Sequence, residues 1–316
     1  MIQARHPALA TRLVAELANS DGSNADCIQQ ASDAGRLLDH RGFDRPAWHL
    51  LAAGVRPPLR DELPEPCERV RGWQFHACSA IETFHREQAL LPVLPPAHRV
   101  LVRSSSGSGA AHWLLALPTS PEATMRPEVM QTALRRRLRL PLPVGAATCP
   151  ASSCRRRLDN LGDHLACCTR AGGVQRRTKP LERAWQRVFR EAGARVVVQP
   201  FLRDLDVGVS ARDGRRVDMV ARGLPLYGGL PLCGDVSIVS AVHGDGSPWS
   251  RAADVDGVAL VRARRLHERT YPELTGGDRA RLIVLGCEVG GRWAQESLDL
   301  LRHLAKVKVR EAPEFL

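Results

Sequence analysis

Two groups of residues in this chain have the types and spacing of chemical sites. The first runs Cys149, four residues, Cys154, nine residues, His164, three residues, Cys168. Zinc takes four thiolate or imidazole ligands in a tetrahedron, and this spacing offers them as a cysteine pair followed by a His/Cys pair. Ligation energy replaces the core that so short a segment cannot build. The intervening RRRLDNLGD is polar and turn-forming, as such a loop should be. Cys167 competes with Cys168 for the last position. The other cysteines, 27, 67, 78, 233 and 287, are scattered, and Cys287 lies inside the apolar run RLIVLGCEV, where a core residue is expected. His76, Cys78 and His85 lack a paired ligand set and are expected on a helix surface.

The second group is acidic. Asp218 sits in RRVDMV and Asp235 in CGDVSIV, each in or beside a segment that reads as a strand. A charge in an apolar strand costs several kcal/mol unless it is paired or holds a cation. Two acids on neighbouring strands make a hard-oxygen site suited to Mg²⁺, and Glu182, on the preceding helix, completes the shell. Pairing of the two aspartates with Arg215, Arg216 or Arg222 is the simpler alternative.

The elements that position these residues follow from periodicity. Residues 1–95 read as a helical region, with apolar positions at helical spacing in ALATRLVAEL, CIQQASDAGRLL and WQFHACSAIETFHREQALL. Residues 96–143 form a linker and basic helix: RSSSGSG reads as a polar loop, and TSPE and RPEV supply helix starts before VMQTALRRRLRL. Residues 144–172 form the zinc knuckle. Residues 173–312 then read helix (KPLERAWQRVFREAG), three strands (ARVVVQPFL, RRVDMVARG, LPLCGDVSIVS), helix (RAADVDGVALVRARRLHERTY), strand (RLIVLGCEV) and helix (WAQESLDLLRHLAKVKVR). Loops too short for crossover helices join the first three strands, so they form an antiparallel meander, with the fourth added after a crossover.

The formal net charge is +11, with lysine only at 179, 306 and 308 and arginine elsewhere. That balance favours an anionic partner, nucleic acid foremost. Arg135, Arg136, Arg137 and Arg139 on the basic helix, Arg155 and Arg156 in the knuckle, and Arg176 and Arg177 after it are the candidate phosphate contacts. No apolar run long enough to span a membrane is present and the N-terminus has no signal core, so a nuclear or cytoplasmic site is expected rather than secretion or a membrane.

Taken in order, the α-β-β-β-α-β pattern with acids on its second and third strands resembles the restriction-endonuclease-like core with its PD-(D/E)XK pattern. Placed after LGDHLACC, it resembles the C-terminal region of site-specific non-LTR retrotransposon polyproteins, in which a Cys-Cys-His-Cys knuckle and nuclease follow the reverse transcriptase. ALPTSPE, RRRLRLPLP, REAGARV, RRVDMVARGLP, GDVSIVS, ERTYPEL and VLGCEVGGRW carry the likeness, over roughly residues 100–312. The resemblance implies an α/β fold, a structural Zn²⁺, and a Mg²⁺-dependent cut in DNA, with RNA a further possible partner. Asp218 and Asp235 fall on the acidic positions, with Val217 where the family carries proline and Ser237 two positions after Asp235. The family's lysine, usually on the following helix, has no counterpart in ALVRARRLHERTYPEL; His267 stands nearest, with Arg264 and Arg265 as alternatives. Arginine can hold a phosphate but cannot act as a base near neutral pH, whereas histidine can do either. The resemblance thus implies either an endonuclease domain or a nucleic-acid-binding remnant of one. The sequence carries no Y-x-D-D or F-x-D-D pair, so the chain is expected to be a fragment, a decayed copy or a separately encoded tail, with any reverse transcriptase encoded elsewhere.

Overall fold

The computed structural model describes residues 26–43, 73–107, 109–118, 124–143, 148–170 and 173–311, with isolated positions elsewhere. The chain divides into two compact units, Met1–Leu94 and Pro95–Leu316. In the first, α1 (Asp26–His40) and α2 (Trp73–Phe84) are described, α2 continuing as a π-helical segment His85–Leu90 and a 3₁₀ turn Leu91–Val93. The guanidinium of Arg41 lies 4.6 Å from the ring centre of Phe84, and Phe43 meets Trp73 edge-on, so aromatic contacts join the two helices. The ALATRLVAEL helix and the TSPE start lie largely outside the described residues.

The second unit opens with α3 (Pro96–Ser105), a short α4 (His112–Leu115) and α5 (Pro127–Arg137). The expected loop at 103–109 is therefore half helix: Arg103, Ser104 and Ser105 close α3, because Val100 and Ser104 are buried on one of its faces. The knuckle follows, with α6 (Asp163–Cys167) as its only helix among the described residues, and then α7 (Gly173–Glu191). The sequence pattern starts this helix at Lys179; it begins instead at Gly173 and runs through Pro180, losing one backbone bond there. Leu181, Trp185, Val188 and Phe189 recur at helical spacing and face the core.

Four strands form one sheet in the order β1 (Arg195–Val198), β2 (Met219–Arg222), β3 (Leu232–Val239), β4 (Arg281–Glu288). β1 with β2 and β2 with β3 are antiparallel, as the short connections require, and β4 runs parallel to β3 after α8 (Val258–Thr270) crosses over. α8 starts seven residues later than its sequence pattern suggests, since Arg251–Gly257 form turns and Gly257 takes a positive φ of 71° at its cap. α9 (Gln295–Glu311) completes the unit. β3 and β4 are near-continuous apolar runs because both faces of the sheet are covered. Trp185, Phe189, Leu300 and Leu304 pack on one face; Leu202, Tyr271 and Leu274 pack on the other. Gly234 precedes Asp235 at a close approach: a Cβ there would stand 3.0 Å from Met219 Cγ and 3.2 Å from Leu285 Cδ1. Among the described residues no helix is long and apolar enough to cross a membrane.

Candidate metal centre and acid cluster

Asp159 builds the knuckle's turn. Its carboxylate accepts backbone N–H bonds from Leu161 (3.0 Å), Asp163 (2.9 Å) and His164 (2.8 Å), satisfying the open end of α6. Burial works to raise its pKa, but the three N–H groups outweigh it and hold the acid below the usual carboxylate range. The turn directs His164 inward. Its Nδ1 lies 3.3 Å from the Gly244 carbonyl, so that nitrogen donates outward and Nε2 faces Cys154 Sγ at 3.3 Å. This is the outer-shell bond that fixes a ligating imidazole's tautomer.

Cys149, Cys154, His164 and Cys168 place their ligand atoms within 4.8 Å of one another. The Cys149–Cys168 sulfur separation is 3.8 Å. Zn–S bonds of about 2.3 Å in a tetrahedron give a sulfur–sulfur edge of about 3.8 Å, so the donor set fits a metal such as zinc. Cys167 is excluded: its thiol points to the carbonyls of His164 and His243, at 3.5 and 3.7 Å. Cys154 is drawn down to about 7, first by its backbone hydrogen bond at Arg156 and then, against desolvation, by the neighbouring thiols and His164. Cys233 and Cys287, by contrast, are pushed up to about 12 by burial, as core thiols are. His76, Cys78 and His85 form no such group; among the described residues the knuckle is the one set of this kind.

The half-exposed arginines of the basic helix and of the turn after it have partners within the chain. Arg139 makes a two-pronged ion pair with Asp163 at 2.7 and 2.8 Å, and Arg136 bonds the Leu161 carbonyl and approaches the same acid at 3.5 Å. Arg137 donates to Ala110 O and Arg135 to Pro141 O. Arg177 donates to the carbonyls of Leu165 and Cys168 at the end of α6. Arg136, Arg139 and Arg177 thus tie α5, the turn after it and α7 to the knuckle, a use that composition could not separate from phosphate binding. Arg155, Arg156 and Arg176 are exposed.

The acidic residues converge at the sheet. The register Met219↔Gly234, carried one residue further, sets Asp218 opposite Asp235 on neighbouring strands. Asp218 Oδ2 accepts the Val236 N–H at 2.8 Å, taking the place of a ladder bond. Desolvation, opposed by that N–H and reinforced by the charges of Asp235 and Glu182, lifts Asp218 to about 7. The alternative in which Arg215, Arg216 or Arg222 neutralises the pair does not hold. Arg215 pairs with Asp213 and Glu273, Arg216 lies over the Phe201 ring, and Arg222 makes no ion pair among the described residues. Asp235 is buried and meets His267 instead, Nδ1 to Oδ2 at 2.8 Å. Glu182 is buried on α7, and its Oε2 takes Lys179 Nζ at 2.6 Å. The three carboxylates do not close into a three-ligand set as tight as the knuckle's. Arg264 is turned away, bound to Glu268 and Glu296.

Two neighbours escaped the sequence reading. Lys179 precedes Glu182 by three residues, a helical spacing that predicts their contact. Tyr271 follows His267 by four, stacks near-parallel on its ring, and donates its hydroxyl to Arg216 O at 2.7 Å. Burial and the Asp235 charge raise its pKa.

A cleft of about 1240 Å³ joins the two sites, running from Cys154 and His164 past Ser237 to His267. No family model matches the chain, and no curated protein matches it.

Proposed function

We propose that the chain is a metal-dependent DNA endonuclease domain of a non-LTR retroelement, with a PD-(D/E)XK core. The observation that carries this reading is the cross-strand opposition of Asp218 and Asp235, with Asp218 lifted to about 7. Two acids forced together in a partly buried place, with no neutralising arginine among the described residues, are costly to folding and suit a divalent cation. Asp218 and Asp235 would hold Mg²⁺, which when bound activates water and offsets charge on a scissile phosphate. Glu182 adds negative charge beside Asp218, with Lys179 fixing its carboxylate. His267, oriented by Asp235 through Nδ1, keeps Nε2 for a proton at the attacking water or leaving oxygen. The knuckle, holding Zn²⁺, staples α5 and α7 beside this centre. Supercoiled plasmid incubated with Mg²⁺ or Mn²⁺ tests the reading: wild-type protein should nick it and Asp218→Ala should not. Absence of nicking by wild-type protein overturns it.

One observation favours a second reading, a non-catalytic nucleic-acid-binding remnant. His267 and Lys179 already satisfy Asp235 and Glu182, and the three carboxylates do not converge as a metal-ligand set does. In that case DNA is bound and no cut strand appears.

A further inference from the structure

The cleft between the knuckle and α8 has a charge pattern that the acid cluster does not account for. Arg156 and Arg170 line it from the knuckle side, Arg251 from the loop after β3, and Arg262, Arg265 and Arg269 from α8. All six are exposed, and none makes an ion pair among the described residues. Among the described residues Asp256 is the one carboxylate in the lining, and it is already taken by Arg103 at 3.1 Å and Arg292 at 3.0 Å. Like charges gathered on one concave surface repel unless an anion is bound, and a line of them suits a polyanion. The lining also has flat groups. The Arg262 guanidinium lies 4.2 Å from the Trp249 ring centre, and the His243 ring centre is 3.5 Å from that of Trp249. Trp249 is itself fixed by Nε1 donating to Ser240 O at 2.9 Å. A guanidinium lying over an indole keeps its other side for a further planar group.

We propose that this cleft binds one unpaired strand of nucleic acid, with the stacked Arg262–Trp249 pair receiving a base and the remaining arginines following its phosphates. A duplex keeps its base faces inside its own stack, so a planar cation on a cleft wall has only base edges to meet. An unpaired strand exposes those faces. The inference rests on the nucleic-acid part of the reading above and not on cleavage.

The test measures anisotropy of a labelled DNA strand about 12 nucleotides long, within the site sizes of such grooves, and of its duplex, with the full metal-loaded chain. Wild-type protein should bind the single strand more tightly than the duplex. Arg262→Glu and Arg265→Glu should each weaken it about tenfold or more. Arg190→Glu makes the same charge change on exposed α7 surface outside the cleft and should change affinity less than about twofold. Arg262→Lys keeps the charge but not the plane, so affinity should fall while the salt slope stays constant. Equal binding of duplex and single strand, or equal loss from Arg190→Glu, overturns the proposal. Zinc content and unfolding midpoint checked for each variant exclude misfolding as the cause. Strand binding that persists in a protein unable to nick plasmid would sink the endonuclease reading and leave this one standing.

Discussion

His267 Nδ1 stands 2.8 Å from Asp235 Oδ2, both side chains more than four-fifths shielded from solvent, and this bond ties α8 to the buried acid of β3. A carboxylate at one imidazole nitrogen fixes the ring and leaves the other for proton transfer. Under the endonuclease reading, His267→Ala should lower the nicking rate by roughly 10²–10⁴-fold, the usual worth of a positioned acid or base. A nicking rate within about twofold of wild type would show that the histidine only braces Asp235.

The knuckle should hold about one equivalent of zinc per chain. Cys154→Ser and Cys168→Ser should each lose most of it, whereas Cys167→Ser should keep it, because the Cys167 thiol points to two carbonyls and away from the other donors. Elemental analysis of protein purified without added zinc separates these outcomes. Retention by Cys168→Ser with loss by Cys167→Ser would reverse the assignment.

Asp159 holds three backbone N–H groups at once. Asp159→Ala leaves them without that acceptor and should cost about 1–3 kcal/mol in urea unfolding. It should also weaken zinc in chelator competition, since the same turn presents His164. Asp159→Asn keeps one acceptor oxygen and should fall between wild type and alanine. Unchanged zinc affinity in Asp159→Ala would mean that the ligands position themselves.

Asp218 gives the pH dependence. Its folded-state pKa of about 7 lies above the ordinary aspartate value near 4. Between those values the folded chain keeps a proton that the unfolded chain releases. Stability from this group is therefore full below about pH 4 and falls as pH rises to about 7. In buffer without Mg²⁺ the unfolding midpoint should decline over that window, and Asp218→Asn should flatten the decline. Mg²⁺ at pH 8 should raise the midpoint of wild type and not of the variant. A slope that survives the substitution would place its origin elsewhere.

Much of this was present in the sequence because it is local. The ligand types and spacing of the knuckle named Cys149, Cys154 and His164 without any fold. The apolar runs, together with connections too short for a crossover, set the antiparallel meander of the first three strands and a fourth strand after a crossing helix. Asp218 and Asp235 stood out because acids in apolar strands are costly. Where patterns ended, boundaries moved: α7 continues through Pro180 because its tertiary face repays one lost bond, and α8 waits for Gly257.

The tertiary structure alone decided what each side chain meets. Cys167 and Cys168 are adjacent and alike, and only the direction of the backbone leaving α6 sends one thiol to the metal set and the other to carbonyls. Arg135, Arg136, Arg137 and Arg139 look like a phosphate-contacting face by composition. Their guanidinium groups also bond Asp163 and open carbonyls within reach, which no composition reveals. The cleft arginines are drawn from separate segments of the chain, so no window of sequence contains them. Local periodicity fixes which residues share an element; long-range packing fixes which charges find partners, and among the described residues it leaves Arg156, Arg170, Arg251, Arg262, Arg265 and Arg269 lining one cleft without an ion pair.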